Sequence, residues 1–201
     1  MSKDEQQTFP KGEIPEEFRA RQFGDEGSPD DSEAYLESAE PQQFERDRDA
    51  SEAAASWRPA KALLKLRAQV NMAFPGRDRS SDGFIGDTAH CPSTSDHCPL
   101  IHDHGVGVVA AFDMTHDVNS GCDAEKIVAA VIASRDARIK YIIWNRHIWN
   151  SSAIGGHAAW TRRDYNGRNP HDHHAHFSVL SDRAKYDDEV TPWVIVRPAD
   201  A

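Results

Sequence analysis

Apolar side chains are spread so unevenly along this chain that its first quarter cannot build a core by itself. Residues 1–50 hold scattered Phe, Ile, Leu and Tyr among charges, Pro, Gly and Ser. Such a composition buries too little surface to offset the entropy of ordering the chain. The same stretch carries 15 acidic against 6 basic residues and so accounts for −9 of the formal net charge of −10. Residues 1–52 are therefore expected to be an acidic, disordered tail or linker. Residues 53–201 are expected to be one folded domain, long enough for a real core.

That remainder is nearly neutral and shows no basic stripe, which excludes phosphate-backbone binding as its leading role. The N-terminal sequence lacks the basic start, apolar centre and small-residue cleavage site of a secretory signal, and no window approaches the ~20 apolar residues of a membrane span. Neither nucleic-acid binding nor membrane insertion is expected, and synthesis in the cytoplasm is. Cys91, Cys98 and Cys122 form no CxxC pair, so a zinc ribbon and a disulfide-dense scaffold both fall away. Three ordinary thiols suit a reducing compartment, with a Cys91–Cys98 disulfide as the alternative.

In the folded part, "SWRPAKALLKLRAQVNMAF" places Leu63, Leu66 and Val70 at helical spacing, with Ser56 able to cap and Pro59 tolerated in the first turn. A long Gly, Ser, Asp and His stretch from "DRSSDG" to "HDHG" reads as loop, longer than a connector needs. "VGVVAAFDM" reads as one buried strand. "CDAEKIVAAVIASRD" reads as a second helix capped by Asp123, with Ile127, Val128, Val131 and Ile132 on its core side. "KYIIWN" and "HAHFSVL" read as further strands. The order predicts an α+β fold with a small, largely antiparallel sheet and flanking helices.

All eleven histidines fall between His90 and His176. In a strand, His174 and His176 face one way and His173 the other. A solvated edge strand with incidental histidines accounts for these residues equally well when they are taken alone. Asp113, however, closes an apolar run, and a carboxylate beside apolar packing costs several kcal/mol unless a cation or strong donors compensate. A turn cap at the strand end, toward "THD", is the alternative reading of Asp113. One loop histidine, His97, with Asp113 and an HxH histidine would make a two-His, one-carboxylate set. Zinc accepts that set and keeps a fourth position open; iron in an oxygenase triad accepts it too, but with a different spacing.

Ser95-Asp96-His97, Ala111-Phe112-Asp113 and His174-Ala175-His176, in this order, resemble the pattern of the zinc D-alanyl-D-alanine peptidases, of the superfamily shared with lysostaphin-type enzymes and the hedgehog signalling domain. His171, five positions before His176, matches a further histidine of the murein endopeptidases in that group. The stretch "SDGFIGDTAH" and the later motifs are similar to actinobacterial and phage proteins related to these peptidases. The resemblance covers roughly residues 56–195. One departure is the interval of sixteen from His97 to Asp113, longer than the family's. It makes "CPLIHDHGVGVV" look like a loop insertion, whose His102 or His104 could replace His97 as ligand. The other is His173 where one peptidase branch has a glutamate.

The resemblance implies a zinc peptidase hydrolysing an amide bond in peptidoglycan stem peptides or cross-bridges, reached after release or export or as a phage component. His97, Asp113 and His176 would hold the metal, and zinc brings the pKa of its water toward ~7. His174 is the expected general base or acid and His171 its assistant, with Asp172 orienting one of the rings. Arg146, Ser95 and Trp160 are weaker candidates for substrate contact, as are Arg162 and Arg163. Trp144, Trp149 and Trp160 could line a substrate groove, with core packing the default for such large aromatics. The competing functions are a soluble D-amino-acid dipeptidase and a non-catalytic zinc module of the same fold.

Overall fold

The computed structural model describes residues 56–85 and 94–196, with the backbone of residues 9–10. The rest of the acidic tail, His90 and Cys91 among residues 86–93, and residues 197–201 lie outside the described residues.

Strand β1 (Phe9–Pro10) runs antiparallel to β2 (Ser56–Pro59), which runs parallel to β4 (Val106–Val109). The expected helix start is thereby corrected: Ser56 and Pro59 belong to a strand. Trp57 and the Arg58 guanidinium are buried there, the latter 2.8 Å from both Asp187 and Asp103. Pairing with a segment fifty residues away outweighs the local capping signal. Helix α1 (Lys61–Ala73) begins after Ala60 without a side-chain cap and buries Leu63, Leu66 and Val70 as their spacing requires.

Strand β3 (Ile101–Asp103) returns along β4. His104 and Gly105, at φ 51° and 84°, make the two-residue turn whose twist suits a hairpin. The supposed loop insertion is thus a β-hairpin. The run "VGVVAAFDM" is likewise two strands, β4 and β5 (Ala111–Thr115), in different sheets. The break falls at Ala110, whose N–H donates to Asp96 O and whose carbonyl accepts from Val179 N.

Helix α2 (Ala124–Ser134) is capped by the Asp123 side chain on Glu125 N. It buries Ile127, Val128 and Val131, with Ile132 at the margin of the core. Strands β6 (Ile139–Trp144), β7 (His147–Asn150), β8 (Arg163–Asp164) and β9 (His174–Val179) follow, then the short α3 (Arg183–Tyr186). The second sheet has the order β5-β9-β6-β7-β8 and is antiparallel throughout. With two mostly antiparallel sheets and few helices, the described chain is α+β. No helix among the described residues is long and apolar enough to cross a membrane.

Alternation sorts the second sheet into two faces. Phe112 and Met114 of β5, Ala175, Phe177 and Val179 of β9, and Ile142 of β6 enter one apolar core with α1 and α2. Each such large side chain contributes roughly 1.5–3 kcal/mol by leaving water. The alternate residues, Asp113, Thr115, His174, His176, Ser178 and Tyr141, lie on the other face, also buried. Loops rather than helices enclose that face.

Candidate metal centre

The register of β5 on β9 sets Asp113 directly opposite His176, and Thr115 opposite His174. Opposed side chains in an antiparallel pair stand about 5 Å apart at Cβ, so this pairing alone brings the carboxylate and the HxH motif together. Asp113 is a mid-strand residue, 6 % exposed, and not a turn cap. The long loop arrives from the outer edge of β5. Asp113 and Gly83 exchange backbone hydrogen bonds of 2.8 and 3.2 Å, and Phe84 stacks on Phe112 at 4.8 Å. Asp82 holds the loop down, accepting from Thr115 N and Oγ1 and pairing with Arg77.

His97 enters on the next part of that loop. Its own N–H donates to Ser95 Oγ at 3.3 Å, and the Asp96 carboxylate is bound by Lys140 of β6 at 2.9 Å on both oxygens. His97 Nδ1 lies 2.8 Å from the Phe84 carbonyl, so that nitrogen carries the donated proton and Nε2 points inward. His176 is held the opposite way round, with Nε2 2.9 Å from Ser178 Oγ and Nδ1 inward. His171, at φ 51°, has Nδ1 2.9 Å from Asn169 O. A loop residue held in this sparsely populated backbone region needs outside support. The β6–β7 turn supplies it: Asn145 N donates to His171 O and Arg146 N to Pro170 O.

Three inward atoms form a nearly equilateral triangle. His97 Nε2 to Asp113 Oδ1 is 3.2 Å, His176 Nδ1 to the same oxygen 3.0 Å, and His97 Nε2 to His176 Nδ1 3.1 Å. Tetrahedral ligands at zinc's ~2.0–2.1 Å bond lengths stand about 3.3 Å from one another, close to this spacing. An oxygen fixing the outer ring nitrogen is also what metal-bound histidines need. The group His97, Asp113 and His176 could hold a metal ion, and so could Asp113, His171 and His174. His174 supplies a further indication: it is 2 % exposed, yet neither ring nitrogen has a hydrogen-bond partner among the described residues. Its Nε2 lies 3.7 Å from Asp113 Oδ2. A buried polar group left so costs free energy unless something unseen satisfies it.

The charges follow from the same geometry. Burial opposes a charge on His97, but the Asp113 carboxylate beside it and the Phe84 carbonyl more than offset this and raise its pKa to about 9. Burial likewise opposes ionisation of Asp113, and the facing imidazoles, His97 first, hold it well below the usual carboxylate range. Burial, reinforced by neighbouring imidazoles, pushes His171 well down and also lowers His174. Without metal the cluster thus sets an imidazolium–carboxylate pair, His97 and Asp113, beside the neutral imidazoles of His171 and His174.

Other expected residues fall elsewhere. Asp172 turns outward to the exposed His173, 3.4 Å away, rather than to a ring of the cluster. His171, in its left-handed loop conformation, takes the inner position. His102 lies exposed on β3, and the 78 % exposed His104 ring meets Arg183 and Asp103, so neither joins His97. Arg146 is exposed in the hairpin turn, near the site through its backbone. Arg162 is exposed, and Arg163 donates to Asn150. Trp144 is buried and donates to Glu125; Trp149 and Trp160 pack at the margin of the helix-side core, Trp160 under Arg135. Cys122 is a buried thiol pushed up to about 11 by desolvation, and Cys98 is buried.

Several site residues escaped the sequence reading. Ser178 shares a strand face with His174 and His176, and the period of two that selected those histidines also points to it. Tyr141 stacks on His176 at 5.3 Å, and Tyr165 meets His171 edge-on at 5.3 Å; no local signal marks either. The Phe84 and Asn169 carbonyls are backbone groups, silent in any sequence. No family model, curated protein or solved structure matches this chain.

Proposed function

We propose that this protein is a zinc metallopeptidase of the D-alanyl-D-alanine peptidase and lysostaphin type, cutting an amide bond in peptidoglycan stem peptides or cross-bridges. The observation that carries this reading is the buried triangle of His97 Nε2, Asp113 Oδ1 and His176 Nδ1, with unpartnered His174 beside it. The order of the motifs supports the family, and the donor set supports zinc, which takes imidazole and carboxylate and leaves a fourth position to substrate or water.

In this reading His97, Asp113 and His176 hold the ion, their outer nitrogens steadied by Phe84 O and Ser178 Oγ. Bound zinc supplies Lewis acidity, which polarises the scissile carbonyl and acidifies water. His174, neutral and without a competing hydrogen bond, accepts the proton of the attacking water at a ring nitrogen and returns it to the leaving amine. His171 keeps its Nδ1 proton on Asn169 O and presents Nε2 as an acceptor next to His174, the ring centroids 5.0 Å apart. Ser95 orders the His97 loop; it acts on the site through that residue.

Metal analysis of the purified chain should find zinc. Mass spectrometry of muropeptides after digestion of intact sacculi should find new amide-cleavage products that a chelator abolishes. Cleavage that survives metal removal sinks the zinc mechanism. Cleavage of small D-amino-acid peptides but never of sacculi makes the protein a dipeptidase instead.

A further inference from the structure

The two groups able to hold metal share one residue, and they use its two ends. Asp113 Oδ1 lies between His97 and His176, at 3.2 and 3.0 Å. Asp113 Oδ2 faces His174 Nε2 at 3.7 Å. The third member of the second group, His171, has its Nδ1 occupied by Asn169 O, which leaves Nε2 as its ligand atom. The His171 and His174 rings meet at 5.0 Å, and the ligand atoms of the group all lie within 4.8 Å of one another. His174 is the decisive member, because it is buried with neither nitrogen hydrogen-bonded among the described residues. Proton transfer needs one of those nitrogens and explains why it is free. It does not explain why a neutral His171 and a second carboxylate oxygen converge on the same point.

We propose that His171, His174 and Asp113 Oδ2 form a second, weaker metal site that fills when divalent metal exceeds one equivalent. Two imidazoles and one carboxylate oxygen are the same donor types as in the first group, and zinc or cobalt(II) suits them. A carboxylate bridging two ions is a known arrangement in two-metal centres. The second ion is the weaker because Asp113 has already spent its one negative charge on the first, and the two cations repel. A consequence rests on the function proposed above: the second ion takes His174 as ligand and removes it from proton transfer. Hydrolysis then rises up to one equivalent of zinc and falls beyond it, so metal supply regulates the same site in both directions.

The test counts metal and does not depend on activity. Metal-free full-length chain is titrated with cobalt(II), followed by visible absorption, and with zinc in a calorimeter. The expected result is two sequential equivalents, the second at least about tenfold weaker. His174→Ala and His171→Gln should each lose the weaker equivalent and keep a single, tighter one. Circular dichroism reports whether each variant is folded, and the parent count decides the matter even if neither is. Saturation of the parent at one equivalent overturns the second site and leaves the proposed function standing. Binding of no metal overturns both. A second equivalent that persists in folded His174→Ala also overturns the assignment.

Discussion

The two faces of the five-stranded sheet are made by the same strands and differ in almost every physical respect. On one, Phe112, Met114, Ala175, Phe177 and Val179 meet two helices and form an apolar core. On the other, one residue along in each strand, Asp113, His174, His176 and Ser178 are as deeply buried but lie under loops. The first face gains free energy from burial. The second gives some up, because charged and polar groups are held out of water for a purpose the fold itself does not need. Stability and chemistry are thus separated by the pleat of a strand.

That contrast can be broken from either side. Phe177→Ala should have the largest effect: a cavity in the helix-covered core costs about 3–5 kcal/mol. Denaturant titration should find nearly the same loss with and without zinc, because this side chain has no part in the site. Asp113→Ala should leave a folded chain that retains neither tightly bound metal nor hydrolysis; metal retained at the parent level would remove Asp113 from the ligand set. His174→Ala should keep the first metal and lose 10²–10⁴-fold in rate, and full activity would end its assignment to proton transfer. Ser178→Ala should weaken metal binding by roughly 10–100-fold, measured by chelator competition, if it steadies His176 as metal-supporting groups do.

A further test concerns pH and sets the two states of the cluster against each other. His97 has a raised pKa, so the stability its proton contributes to the metal-free protein is fully present below 6.5 and is lost as pH rises to about 9. Metal must displace that same proton from Nε2. Apparent zinc affinity should therefore increase by about tenfold per pH unit over the same window and level off near the upper end. Thermal unfolding of the metal-free chain and chelator-buffered zinc titrations, run across pH 6.5 to 9, should move in opposite directions. Parallel movement would show that the His97 proton is not what the metal replaces.

Some of this was legible in the residues. The HxH spacing assigned His174 and His176 to one face and His173 to the other because strand geometry has a period of exactly two, and His173 is indeed exposed. Leu63, Leu66 and Val70 announced a helix face for a similar reason. The misreadings arose where a distant partner overrode a local signal. Ser56 and Pro59 look like a helix start until β4 pairs with them, and Ala110 looks like any strand residue until Asp96 and Val179 claim its backbone from two directions. Asp172 looked like an orienting group because it is next to His171 in the chain, whereas the left-handed turn at His171 precedes a bend in which Asp172 faces His173.

By itself, then, the sequence determined which residues of β5 and β9 could share a face, since alternation follows from covalent geometry. Tertiary structure decided what that face would become. It chose the register that puts Asp113 opposite His176, brought His97 and His171 in on loops, and turned each ring by means of an oxygen elsewhere in the fold. At His97, His171 and His176 the nitrogen turned inward is fixed by the engagement of its twin. That engagement depends on backbone carbonyls and a hydroxyl whose positions exist only once the chain has folded.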